Sequence, residues 1–200
     1  MTAGEILKYT AWSAGLAVAL AGLLIDFQYG VLTVFLLASV YTDLASRKIP
    51  NRLVYSGLVL AIVCQAMLPS GMGLWVSLQG MGLGLAMFLP MYFLRAMGAG
   101  DVKLMAMVGA FVGPQLIIGA TLATLVAGGV MAVMATLWKR EFRKLIENLK
   151  VMFLGSMTRF AAGQLPLPEQ PVASVGKLPY AVAITAGTLG YLAWARYTSG

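Results

Sequence analysis

Along this 200-residue chain the polar positions gather in short clusters, and the stretches between them are almost wholly apolar. The apolar runs are Tyr9 to Ile25, Tyr29 to about Ser46, Leu53 to Leu68, Leu74 to Met97, Val102 to Trp138, and Pro179 to Tyr197. A helix rises 1.5 Å per residue, so about 20 residues cross the ~30 Å hydrocarbon layer of a bilayer. The run from Val102 to Trp138 has 37 residues and is too long for one crossing. Gly113-Pro114 divides it, because proline lacks the backbone N–H and its ring clashes with the preceding turn. The pattern predicts an all-α, polytopic transmembrane helix bundle of about seven helices (six to seven), forming one integral membrane domain over residues 1–200.

Composition supports lipid as the solvent. Hydrophobic residues make up 60% of the chain and charged residues only 10%, against about a quarter in a soluble domain. The basic residues, which give a net charge of +7, are spread between the apolar spans, where cations set orientation and meet anionic lipid. Nucleic acid is therefore not an expected partner, whereas the lipid bilayer is. With the N-terminus in the cytoplasm, 13 of the 14 lysines and arginines fall inside and only Arg196 outside. That asymmetry predicts a cytoplasmic N-terminus. The segment Val102 to Val112 would rise only ~17 Å; the charge rule keeps it as a crossing and implies a thinned or water-indented membrane around it. Lys8 before an apolar run also fits a signal peptide, but the length of the run and its early Trp and Tyr favour a retained helix.

Between residues 139 and 178 the pattern changes. Apolar positions recur every three or four residues among cations from Lys139 to Phe153, the pattern of an amphipathic helix lying on the cytoplasmic face. The stretch Gln164-Leu-Pro-Leu-Pro-Glu-Gln-Pro then reads as a proline-stiffened loop. Glycines at 80, 82 and 84 and at 128 and 129 permit close helix packing.

The possible chemistry is narrow. There is no histidine, which excludes a Ser-His or Cys-His pair and any histidine-ligated metal. The single cysteine, Cys64, lies within an apolar run and is expected to pack. Of the seven acids, Glu5, Asp26, Glu141, Glu147 and Glu169 sit at ends or in polar segments. Asp43 and Asp101 stand instead at the edges of apolar helices, on the same predicted side, and an ionisable group at membrane depth points to function. Each also has a structural reading: Asp43 precedes Arg47 by four residues, an ion-pair spacing, and Asp101 starts a helix, where it would serve as N-cap. Pro50 ends the helix below Asp43, and Asn51 is placed to cap the next one. Gly98 and Gly100 allow a sharp turn and the close approach of a substrate strand.

The segments Asp43-Leu-Ala-Ser-Arg-Lys-Ile-Pro-Asn51 and Gly98-Ala-Gly-Asp-Val-Lys-Leu104 resemble the paired motifs of the type IV prepilin peptidases, membrane aspartyl proteases with a Gly-x-Gly-Asp signature. Gly176-Lys-Leu-Pro-Tyr-Ala-Val-Ala-Ile184 is similar to the Pro-Tyr start of that family's final helix. The likeness runs in order over about residues 29 to 190, and the short chain is similar to the peptidase-only members of the Flp/Tad pilus systems. The resemblance implies that Asp43 and Asp101 are catalytic. It also implies that Pro50, Asn51, Gly98, Gly100, Lys103, Pro179 and Tyr180 support them. The expected substrate is a prepilin with a basic leader and an apolar helix, cut after a leader glycine at the cytoplasmic face of the bacterial inner membrane, with the pilus assembly machinery as a further partner. The longer members N-methylate the product and carry paired Cys-x-x-Cys motifs. This chain has neither that loop nor those cysteines, so no methylation, no metal and no cofactor are expected.

Two carboxylates ~4 Å apart repel by about 4 kcal/mol at an effective dielectric of 20. That corresponds to roughly a thousandfold difference in proton affinity, so one is ionised and activates water while the other donates a proton. Which aspartate is the base stays open, and Lys103 either favours an ionised Asp101 or snorkels to headgroups. Other readings of the same residues are a small proton-coupled transporter using Asp43 and Asp101 as relays, a noncatalytic assembly subunit, and a hydrolase built on Ser46 and Lys48. The chain offers no repeated half, which a transporter would favour.

Overall fold

The computed structural model describes residues 27–67, 71–93, 97–138 and 179–199, with a few positions between 150 and 158. Five helices lie among them: α1 (Phe27–Ser46), α2 (Asn51–Met67), α3 (Leu74–Phe93), α4 (Ala99–Trp138) and α5 (Tyr180–Ser199). The described residues contain no strand, so the fold is all-helical. Five is fewer than the six to seven helices expected. The helix expected over Tyr9 to Ile25 and the amphipathic and proline-rich segments of 139–178 lie essentially outside the described residues. α1, α3 and α4 are long and apolar enough to cross a membrane, and α2 is a shorter apolar helix.

α4 is sharply kinked at Gly113. Gly113 has φ 76° and ψ 176°, a backbone conformation open in practice only to glycine, and Pro114 follows it. The chain turns back there. A Cβ on Gly109 would stand 3.3 Å from Cγ1 of Ile117, eight residues later, whereas a straight helix would separate the two by about 12 Å. The expected division at Gly113-Pro114 is therefore present, as a tight reversal rather than a loop.

The first half, 99–112, is the centre of the molecule. Val102 and every residue from 104 to 113 are buried. α2 runs parallel to it, with Asn51 beside Lys103 and Gly57 against Met107. α3 runs antiparallel: Gly80 faces Gly109 and Gly84 faces Met105, so closely that a Cβ on Gly80 or Gly109 would collide with the opposite backbone. The glycines in α3 thus do what close packing in a membrane requires. The central half spans the bundle beside α2, from Asn51 to Gln65, and it meets protein rather than lipid on its sides.

The second half, 114–138, shows which solvent the fold is built for. Ile118, Leu122, Val126, Val130 and Met134 recur every four residues and are exposed. The opposite stripe, with Ala120, Thr121, Thr124 and Gly128, is buried. Apolar side chains face outward and small or hydroxylic ones inward, the reverse of a water-soluble helix and the arrangement lipid favours. α5 packs antiparallel along this stripe, with Gly119 at Tyr191, Thr124 at Gly187 and Gly128 at Tyr180.

Breaking a helix inside an apolar bundle frees carbonyls that no water can reach, and each must find a donor. Pro114 has no N–H for the Ala110 carbonyl, which accepts the Ser77 hydroxyl at 2.9 Å instead. The Phe111 carbonyl accepts the side-chain amide of Gln65, whose Oε1 in turn accepts the Met72 N–H at 2.8 Å. Gln65 is 1% exposed, so this amide ties together α2, the α2–α3 connection and the reversal in α4 within a dry interior.

Candidate active site

The opposite end of the central helix holds both aspartates. Asp43 lies one turn before the end of α1 and is buried, at 7% exposure. Its Oδ2 accepts the backbone N–H of Ala181 at 3.2 Å. That N–H belongs to the first turn of α5, where helix geometry leaves donors without an internal partner. Asp43 therefore caps a helix that lies 138 residues further along the chain. Pro179 sets the start of α5, its carbonyl accepting the Val182 N–H at 3.1 Å.

Asp101 sits in the first turn of α4 and is half-buried. The expectation of an ordinary N-cap is corrected. Gly98 holds the cap position, its carbonyl accepting the N–H groups of Asp101 and Val102 at 3.1 and 3.4 Å. Asp101 is the third residue in, and its Oδ2 reaches back to accept the Gly98 N–H at 3.0 Å. This is the carboxylate half of a capping box, with a glycine where the partner hydroxyl usually stands.

The two carboxylates lie within electrostatic reach of each other, and Asp101 also acts on Tyr180. The Tyr180 ring stands edge-on to the fully buried Phe88 at 6.4 Å between centroids. Its hydroxyl lies over Gly128, where any Cβ would collide with it. The basic residues Arg47, Lys48, Arg52 and Lys103 share this end of the bundle, and Arg196 lies towards the other end of α5. Among the described residues, no three of Cys, Asp and Glu gather as a metal site would require.

The two motif segments also touch each other. Ile49 packs on Gly100, where a Cβ would come 3.3 Å from that of Ile49. Lys103 Nζ donates to Oδ1 of Asn51 at 3.1 Å and lies 5.5 Å from the centre of the Tyr55 ring. The expected cap role of Asn51 is thereby corrected. Pro50 stands at the cap position, its carbonyl accepting the N–H groups of Leu53 and Val54, and Asn51 already belongs to the first turn. Its side chain turns instead to a lysine 52 residues away. Lys103 is likewise held by α2 rather than being extended freely to headgroups.

Asp43, Pro50, Asn51, Gly98, Gly100, Asp101, Lys103, Pro179 and Tyr180 thus all come to one end of the bundle. Reading the sequence missed three neighbours: Tyr55, Gly128 and the N–H of Ala181. Tyr55 follows Asn51 by four residues, which places both on one helix face, and that spacing was available in the sequence. The Ala181 N–H carries no side-chain signal; only its place just after Pro179 marks it as an unpaired donor.

Two acids close enough to influence each other, in a partly buried setting, can divide the roles of proton donor and acceptor in hydrolysis. Comparison with known proteins points the same way. The family model of the type IV leader peptidase family matches residues 30–133, which include most of α1, all of α2 and α3, and most of α4, with both aspartates. No curated protein and no solved structure matches the chain. The matched stretch covers more than half of the sequence and contains both motif segments, and the chain belongs to the type IV leader peptidase family.

Proposed function

We propose that the chain is an aspartic endopeptidase that removes the basic leader from prepilins of the Flp type at the cytoplasmic face of the inner membrane, without N-methylating the product. Asp43 and Asp101 are the reacting pair. The observation that carries this reading is that two carboxylates 58 residues apart in sequence lie within electrostatic reach of each other at one end of the bundle, each tied by one oxygen to the start of a helix. An anchored carboxylate keeps its orientation while its other oxygen faces the reacting atoms. The ionised member takes a proton from water as the oxygen attacks the peptide carbonyl. The protonated member donates to the developing oxyanion, and the amine leaves with a proton returned from the pair.

A site at the basic end of the bundle suits a substrate whose cationic leader joins an apolar helix, because the junction then lies at the membrane surface. No cofactor is needed for such a reaction. The family membership supports a prepilin-like substrate.

The test uses detergent-purified protein and an Flp-type prepilin. A shortened product with an unmethylated N-terminus, read by mass spectrometry, is the expected result. Asp43→Asn and Asp101→Asn are expected to abolish it while the protein still accumulates. Persistent cleavage by either variant would remove the aspartic mechanism, and an intact precursor with the unaltered protein would remove the substrate assignment. Proton flux through vesicles that carry the protein would instead favour a transporter.

A further inference from the structure

The helices that carry the two aspartates, α1 and α4, touch each other little. Their carboxylates are therefore set relative to one another by what lies between them. On one side stands α5, whose Ala181 N–H holds Asp43. On the other stands the 47–50 turn after α1, which lies against the first turn of α4 through the contact of Ile49 with Gly100. That contact is a small patch, and the turn includes Arg47 at φ 54°, a conformation that favours glycine.

We infer that Lys103 is a positioning residue, a clamp that joins the two motif segments and so fixes the separation of Asp43 from Asp101. The inference rests on the aspartic peptidase reading above. Its geometric basis is the pair of contacts made by one ammonium group, a hydrogen bond to Asn51 Oδ1 at 3.1 Å and the face of Tyr55 at 5.5 Å. Asn51 and Tyr55 are one helical turn apart on α2, so both bear on the same cation. Asn51 directly follows the 47–50 turn, and Lys103 lies two residues after Asp101. A pull between Asn51 and Lys103 is thus a pull between the two catalytic segments. An ammonium suits the task because it donates to the amide oxygen and is drawn to the ring quadrupole at once; an apolar side chain does neither. Asn51 and Tyr55 are exposed, so the clamp sits at the rim of the bundle rather than in its core.

The experiment compares prepilin cleavage by the purified protein with Lys103→Met, Lys103→Arg, Asn51→Leu and the Met/Leu double variant. A displacement near 1 Å in a reacting pair lowers turnover on the order of 10- to 100-fold. Lys103→Met is expected to lower kcat by that factor with KM unchanged, and Lys103→Arg to recover most of it. The double variant is expected to be no worse than the poorer single one, because both remove one shared interaction. Additive losses, a raised KM with kcat intact, or failure of Lys103→Arg to recover activity would overturn the clamp. Where Lys103→Met does not accumulate, Asn51→Leu combined with Tyr55→Leu removes the clamp from the α2 side and must produce the same fall in kcat. Asp43→Asn and Asp101→Asn run beside these. If they retain cleavage, the aspartic reading itself has failed; if they are dead while the clamp variants turn over normally, only the clamp has.

Discussion

The two ends of the central helix, 99–112, make opposite use of polar groups in an apolar setting. At the Gly113 end, the carbonyls freed by the reversal are taken up by Ser77 and Gln65, and the other end of the Gln65 amide is itself paired with Met72. At the Asp101 end, Asp43 and Asp101 each engage one oxygen with a backbone N–H and lie within electrostatic reach of each other. The first arrangement is saturated and can only hold. The second pairs two acids that, on the proposed reading, divide proton donation and acceptance between them. Polar groups at membrane depth are costly in either case. At the Gly113 end the cost supports architecture; at the Asp101 end, on the proposed reading, it supports chemistry.

Substitutions at each end sharpen the contrast. The largest effect is expected at the Asp101 end: Asp43→Asn or Asp101→Asn removes acid–base catalysis, and turnover of prepilin, followed by gel shift, falls by about 10²- to 10⁴-fold while the melting temperature in detergent stays near that of the unaltered protein. Next comes Gly113→Val, which forces a β-branched residue into φ 76° and towards Met72 and Val76. It is expected to cost about 1–3 kcal/mol of stability, read as a fall in melting temperature. Gln65→Leu leaves the Phe111 carbonyl and the Met72 N–H unpaired, at a cost also of about 1–3 kcal/mol, with kcat of the protein that remains folded unchanged. Ser77→Ala is the mildest: one hydrogen bond is lost, and polar bonds within bilayers average about 0.6 kcal/mol. A Gln65 variant that keeps its stability but loses catalysis would break the contrast, because the two ends would then be one functional unit.

Much of this was legible in the chain, for physical reasons that differ from residue to residue. Asp43 and Asp101 stand out because a carboxylate at the edge of an apolar run is rare and expensive. Gly113-Pro114 announces a break because both residues act on the backbone locally. The fold-back was not legible: it depends on Ile117 finding Gly109, a contact between side chain and missing side chain that no local pattern encodes. Asn51 was misread for a related reason. Its capping potential is a local property, whereas its actual partner, Lys103, is supplied by tertiary structure, and Pro50 already occupies the cap position. Gln65 offered a signal that went unused. A lone amide in the run Leu53 to Leu68 must be paired somewhere, and the carbonyls freed by Pro114 were the obvious debtors. The shortfall in helix number has its own cause: the pattern counts apolar runs, and the run Tyr9 to Ile25 lies outside the described residues.

The bond from Ala181 to Asp43 also bears on when the proposed site comes into being during biosynthesis. Translation runs from residue 1 upward, so both acids leave the ribosome well before the N–H that orients one of them. A nascent chain that ends short of α5 carries the two carboxylates but not the fastening for Asp43. On the aspartic reading proposed above, competence to cut a peptide bond arrives late, only after α5 has docked against α1.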